Sequence, residues 1–384
     1  MNVQQFSWQP ETQWKAESQK SKTDPIEANL VLYFCAPNAF ERAKPHEFFS
    51  KHFPEAIIVG CSTAGEIMGE EVFDDSAVGT AISFTHTRLK PAVINIKELS
   101  DSFLAGKKLG ESLLGPELNS VLVISDGQLV NGSKLVLGLK DILPSDVVIT
   151  GGLAGDGANF SQTLVSAGGE PGSGNVVAIG FYGSALRIGH GSIGGWKEFG
   201  PVRTITRSQD NVLYELDGQP ALDLYKTYLG EAAERLPGSA LEFPLMIRES
   251  DHHALGTVRT ILSINEEDGS MVFAGDMPEG QTAQLMMTTN AHLVDGAEEA
   301  AEMASSLPAN VVGDRLALMV SCVGRKIVLG KRAVEEVEAV AEVLGEDTRY
   351  VGFYSYGEIS PHAESGMCEL HNQTMTITYL AETA

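Results

Sequence analysis

One pattern, present three times, constrains the fold of this 384-residue chain more than any other feature. Each copy runs from a β-branched apolar segment through a helix-like segment to a second apolar segment, then closes on a glycine-rich turn carrying an acid. In the first copy the segments are 30–34, 39–52 and 56–59, and the turn is Gly60-Cys61-Ser62-Thr63-Ala64-Gly65-Glu66-Ile67. The second runs 121–125, 131–143 and 147–150, closing on Gly151-Gly152-Leu153-Ala154-Gly155-Asp156-Gly157, with Asp in place of Glu. The third runs 316–320, 331–344 and 350–351, closing on Gly352-Phe353-Tyr354-Ser355-Tyr356-Gly357-Glu358-Ile359. Strands joined through helices must pair in parallel with right-handed crossovers. Each copy adds one further strand, at 77–84, 176–182 and 375–380. The expected fold class is therefore α/β, with repeated β-α-β units forming mixed sheets covered by helices in two packed domains.

Residues 1–28 are polar, lack sustained periodicity and are broken by Pro10 and Pro25, so they read as a tail. A junction falls around Leu213–Pro220, giving an N-terminal domain at 29–218 and a C-terminal domain at 219–384. Charge narrows the partners: 27 basic against 51 acidic residues leave a net charge of −24, which repels nucleic acid and anionic lipid. No apolar run approaches a membrane span and no secretion signal opens the chain, so a cytoplasmic protein is expected. The four cysteines, Cys35, Cys61, Cys322 and Cys368, are far apart and suggest buried thiols rather than disulfides or a zinc site.

Several motifs admit a chemical reading. Gly189-His190-Gly191-Ser192-Ile193-Gly194 matches G-x-G-x-x-G, but Gly195, Gly200 and Pro201 follow where a dinucleotide fold needs a helix. His190, set between glycines, is a candidate axial ligand for haem iron. Ser62 and Ser355 miss the spacing of a nucleophile elbow, and Cys61 has no neighbouring base, so no enzyme is expected. Asp251-His252-His253 makes poor co-ligands because adjacent residues point apart. Glu369-Leu370-His371-Asn372-Gln373-Thr374 is dense in polar groups and suggests a satisfied network near the Gly357-Glu358 turn. Arg325 offers a guanidinium after a strand end, for a ligand carboxylate or for Glu358.

Taken together, Val59–Ile67, Gly151–Gly157, Glu215–Ala221, Ser321–Arg325, Gly352–Ile359 and Glu369–Thr374 resemble the FIST family, N-terminal and C-terminal parts alike, from residue 29 to 382. The resemblance implies a sensory protein that binds a small ligand and regulates a signalling partner, such as a histidine kinase or a cyclic-di-GMP enzyme. With no output segment in the sequence, it implies a stand-alone sensor of the haem and nitric-oxide type, carrying haem b on His190; His46, His52, His86, His292, His362 and His371 are alternative donors. A second expectation is an amino acid or similar metabolite held without haem. The ligand-binding candidates are Cys61, Ser62, Gly65, Glu66, Asp156, Arg325, Gly357, Glu358 and His371. A thiol-dependent enzyme built on Cys61 is the third expectation, and a homodimer is compatible with all three.

Overall fold

The computed structural model describes residues 1–17, 26–236, 238–249, 256–308, 310–362 and 365–384. The threefold pattern is realised as three sheets of common design. The first copy consists of β1 (Asn2–Gln9), β2 (Leu30–Cys35), α1 (Pro45–His52), β3 (Ile57–Ser62), β4 (Glu66–Met68) and β5 (Ala77–Ser83). The second has β6 (Arg88–Asn95), α2 (Ser102–Leu113), β7 (Leu118–Ser125), α3 (Gly132–Ile142), β8 (Val148–Leu153), β9 (Val165–Ala167) and β10 (Asn175–Tyr182). The third has β11 (Leu186–Ile193), α4 (Asn290–Ala304), β12 (Val311–Cys322), α5 (Val323–Leu329), α6 (Ala333–Leu344), β13 (Thr348–Ser355), β14 (Gly357–Pro361), β15 (Cys368–His371) and β16 (Met375–Thr383).

Within each copy the strand order is the same. β3 lies parallel to β2, β5 antiparallel to β2, and β1 antiparallel to β5. The series repeats as β8, β7, β10, β6 and as β13, β12, β16, β11. The short strand after each glycine turn leaves its own sheet and pairs with another copy: β4 joins β13, β9 joins β3, and β14 joins β8. This cyclic exchange locks the three copies together, so the sheets cut across any division of the chain into halves.

Alternation along the central strands explains why both sheet faces are dry. Leu30, Leu32 and Phe34 of β2, Leu122 and Ile124 of β7, and Leu316, Leu318 and Val320 of β12 share one interior cluster drawn from all three sheets. The intervening Val121, Val123, Ala317 and Met319 face the covering helices, as expected of strands buried on both sides. Phe34 stacks on Phe353 at 4.6 Å between ring centroids, across the join of the first and third copies.

Two expectations are corrected. Residues 2–16 are not a tail: β1 pairs along β5, and Gln13–Ala16 pairs back on β1. Val3, Phe6 and Trp8 are buried, but glutamines between them mask the period-two pattern. The glycines beside His190 do not open the chain around it, because β11 runs unbroken from Leu186 to Ile193 along β16. Its glycines serve packing, since a Cβ on Gly189 or Gly191 would fall 1.8 Å from the Ala304 carbonyl oxygen or 2.0 Å from that of Ala300. No helix opens after the G-x-G-x-x-G run.

Between β11 and α4 the chain forms a small β-rich insert, residues 197–287, with helix Ala221–Leu229 and an apolar cluster of its own. The hairpin expected around Glu266–Gly269 is present, with Ile261–Asn265 antiparallel to Ser270–Phe273. The 218/219 boundary falls within this insert. Among the described residues no helix is long and apolar enough to cross a membrane.

Candidate functional site

The acids of the three glycine turns hold their positions by different means. Glu66 and Glu358 are fully buried. Glu66 accepts hydrogen bonds from the hydroxyls of Thr63 and Ser76. Glu358 accepts from Ser355 Oγ at 2.5 Å, Thr374 Oγ1 at 3.0 Å and the Thr374 amide at 3.2 Å. Each glutamate thus takes one hydroxyl three residues earlier and one from the residue preceding the closing strand, β5 or β16. Burial raises their pKa values to about 7 for Glu66 and about 8 for Glu358. Glu358 is a structural pin sealed from solvent rather than a ligand contact.

In the second copy the acid is Asp156, one methylene shorter, and the arrangement changes. Asp126, after β7, ties down the chain before β10 by accepting from the Gly174 amide at 2.7 Å. Asp156 instead accepts from the amides of Ser161 and Gln162 at 2.9 and 2.8 Å, and from the Tyr356 hydroxyl. Tyr356 also stacks on Phe160 at 4.7 Å. Glu66, Gly65 and Asp156 meet at a cavity of about 160 Å³, together with Asn38, Asp74 and Asn159. Gly65 has φ +137°, and its ideal Cβ would lie 2.1 Å from Lys326 Nζ, so here the turn does require glycine. Gly357 has no such positive φ; a Cβ there would press on Leu370 at 3.0 Å.

Arg325 is the clearest correction among the charged candidates. It neither faces a ligand nor pairs with Glu358. Its guanidinium is fully buried against Glu336, with Nε–Oε2 at 2.9 Å and an Nη2 contact at 2.7 Å, and it donates to the carbonyls of Gly194 and Leu293 at 2.6 and 2.7 Å. Ser321 and Tyr354 hydroxyls complete Glu336 at 2.9 Å each. Glu336 escapes a sequence reading because it looks like a surface residue of an acidic helix turn. Cys61 is buried in β3, and burial holds its thiol pKa well above the ordinary value, which removes it as a nucleophile. Ser62 Oγ is engaged in accepting from the Leu164 amide at 2.9 Å.

The histidines divide by surroundings. His371 is buried opposite Glu358 in the β14–β15 pair, with Nε2 3.0 Å from the Ser360 carbonyl oxygen, and burial pulls its pKa down to about 4. His190 pairs across the ladder with Thr378, and its buried Nδ1 has no partner. Both glycines beside it are packed on the α4 backbone, and none of the cavities described here is lined by His190. Its surroundings therefore do not provide a slot for a macrocycle. His46 fits better: it borders a cavity of about 500 Å³ walled in part by Phe40, Pro45, Leu164 and Pro171, and its Nδ1 is buried without a partner. The Asp251-His252-His253 cluster lies outside the described residues. Among those described, no group of three or more His, Cys, Asp or Glu side chains could hold a metal ion.

The largest of these cavities, about 510 Å³, lies where the insert meets α3 and β15. Lys140, Arg248, Arg259, Asp276 and Glu369 supply charges of both signs, while Val136, Leu137, Pro278 and Met367 supply apolar wall. A second cavity of about 270 Å³ continues the seam between Gln128–Gly132, Phe273–Gly275 and Tyr356. Polar contacts hold the insert here: Asn131 Nδ2 to Asp276 at 2.8 Å, Thr257 Oγ1 to Glu369 at 3.0 Å, and Arg259 Nη1 to the Leu370 carbonyl at 3.0 Å. None of these residues is among the ligand-binding candidates of the sequence, although Glu369 and Leu370 open the polar run read there as a satisfied network. The available signal was Arg259, a lone cation inside the apolar run Val258-Arg259-Thr260-Ile261-Leu262.

Comparison with known proteins gives two family matches: the FIST N domain over residues 29–219 and the FIST C domain over residues 221–361. An uncharacterized protein of Methanocaldococcus jannaschii is 25% identical over 292 residues, covering 68% of this chain and 54% of that protein. The chain thus spans about half the length of that curated relative. Among solved structures, cyanuric acid hydrolase from A. caulinodans aligns at TM-score 0.33 and 9% identity, over 93% of this chain and 91% of that one. A second cyanuric acid hydrolase structure aligns at TM-score 0.33 and 10% identity, over 100% and 99%. Likeness this distant carries no residue roles across.

Proposed function

This chain belongs to the FIST family, whose domains point to a sensory role for small ligands, and from that premise we propose that its ligand binds in the seam between the α/β core and the insert. The observation that carries this reading is the cavity of about 510 Å³ at that seam, lined by both charge signs and apolar wall, the combination typical of small-molecule sites. The insert packs around its own core and meets the rest of the chain through scattered polar bonds. A ligand touching both sides favours one docking of the insert over another and shifts the population of the two arrangements. A signalling partner, a histidine kinase or a cyclic-di-GMP enzyme, reads the difference. The chain in this account binds and does not turn over its ligand. Thermal-shift measurements with the twenty L-amino acids test it: a ligand at the seam raises the melting temperature, and Leu137→Trp, which fills the cavity wall, removes the rise. A rise unaffected by that substitution contradicts the reading.

A second reading, haem with nitric-oxide sensing, is favoured by one observation, the apolar-walled cavity bordered by His46. Haem iron there would supply an open coordination position for the gas. His46 would hold the group, and Phe40 and Leu164 would flank it. An absorption spectrum after haemin addition tests this reading: a stoichiometric Soret band lost in His46→Ala supports it, and a band lost only in His190→Ala, or no band, counts against the His46 site.

A further inference from the structure

We propose that the seam cavity seats its ligand by an oxyanion head group, a carboxylate or a phosphate, against Arg259. The inference rests on the seam reading and names the chemistry of the ligand at that site.

Arg259 is 9% exposed and borders the cavity. Its Nε donates to the Asp276 carbonyl oxygen at 3.3 Å and its Nη1 to that of Leu370 at 3.0 Å, which fixes the plane of the guanidinium. Among the described residues, no carboxylate lies within 4.0 Å of it. The other deeply buried guanidinium, Arg325, has Glu336 at 2.7 Å. A buried cation without an anion in direct contact is costly unless something supplies one, and Nη2, unlike Nε and Nη1, donates to no group among the described residues, which leaves it for an oxygen of a carboxylate or phosphate. Asp276 and Glu369 act on it only from beyond contact distance, their carboxylates accepting hydrogen bonds from Asn131 and Thr257.

Two further features of the cavity wall point the same way. Ser133, second residue of the eleven-residue α3, has a buried hydroxyl without a hydrogen-bond partner. It stands at a helix N-terminus, where backbone amides and the helix dipole favour negative charge. Lys140 of the same helix and Arg248, itself paired with Glu198, add two further cations to the wall.

The test is titration calorimetry on the full chain with L-amino acids, their α-amides and inorganic phosphate. A bound amino acid is expected to outbind its amide by about tenfold or more, the loss of one charge-assisted contact. Phosphate binding without amino-acid binding assigns the head group to phosphate. Arg259→Gln is expected to abolish binding. Lys140→Gln, on a half-exposed helix position, is expected to weaken it several-fold with the fold intact, and it decides the matter if Arg259→Gln does not fold. The inference is overturned if acid and amide bind equally, if folded charge variants bind like the parent, or if neither an amino acid nor phosphate binds. Blockade by Leu137→Trp with unchanged binding in both charge variants would keep the seam and reject the oxyanion. Binding indifferent to all three substitutions would reject the seam itself.

Discussion

Glu66 and Glu358 are the same pin in two copies of one unit: each carboxyl joins the hydroxyl three residues before it to the hydroxyl of the residue that precedes the closing strand. The pin holds the glycine turn shut at the point where β4 and β14 cross to their neighbouring sheets. Asp156 cannot span the same gap, and Asp126 takes over the bond to the closing strand of its copy.

The pins make stability depend on pH in a definite direction. The folded protein keeps the Glu358 proton up to about pH 8, whereas the unfolded chain loses it near the ordinary value of 4.5. Its contribution is fully present below 4.5 and falls as pH rises to 8, at about 1.4 kcal/mol per unit. Glu66 acts likewise between 4.5 and about 7. Glu358→Gln, an isostere of the protonated form, is expected to match the parent near pH 5 and to exceed it in melting temperature at pH 8.5. Parallel melting profiles across that range would show that Glu358 is ionised in the fold.

His371 works in the opposite direction. Burial keeps it neutral down to about pH 4, so the unfolded chain takes up a proton first and stability falls as pH drops from 6.5 toward 4. Imidazole titration followed by NMR checks this; a midpoint near 6.5 would contradict it.

Removing half of the Arg325–Glu336 pair leaves the other charge buried, a loss of about 3–5 kcal/mol. Glu336→Gln is therefore expected to lower stability by that order in denaturant titrations, and the double variant Arg325→Met/Glu336→Leu to recover much of it. A single variant within ~0.5 kcal/mol of the parent, the range of an ordinary surface change, would mean the pair is solvated.

Gly191→Ala tests the packing of β11 on α4. A methyl group 2.0 Å from the Ala300 carbonyl oxygen must displace the helix, and overpacking of this kind costs about 1–3 kcal/mol. Unchanged stability would show that α4 is free to shift.

The repeated unit was legible because its apolar runs alternate with helix-length segments and end on glycine turns at fixed spacing, as at Gly60-to-Gly65 and Gly352-to-Gly357. The exchange of β4, β9 and β14 was not, since three- to five-residue strands leave no periodic signal and their partners lie in distant copies. Asp156 and Glu66 do meet at one cavity, yet the roles of Glu358 and Arg325 were hidden, because the side chains that satisfy them come from Thr374 and from Glu336 of another helix. Arg259 escapes a sequence reading because the groups it donates to are the carbonyl oxygens of Asp276 and Leu370, which no side-chain pattern marks.

Amide hydrogen exchange, recorded with and without an equimolar pool of the twenty L-amino acids, tests the central claim most directly. The account predicts slowed exchange in Gly132–Ile142, Leu245–Arg248 and Thr257–Arg259, the two sides of the seam. Protection confined to other segments, such as Pro45–His52 beside the His46 cavity, or no protection at the seam, would contradict it.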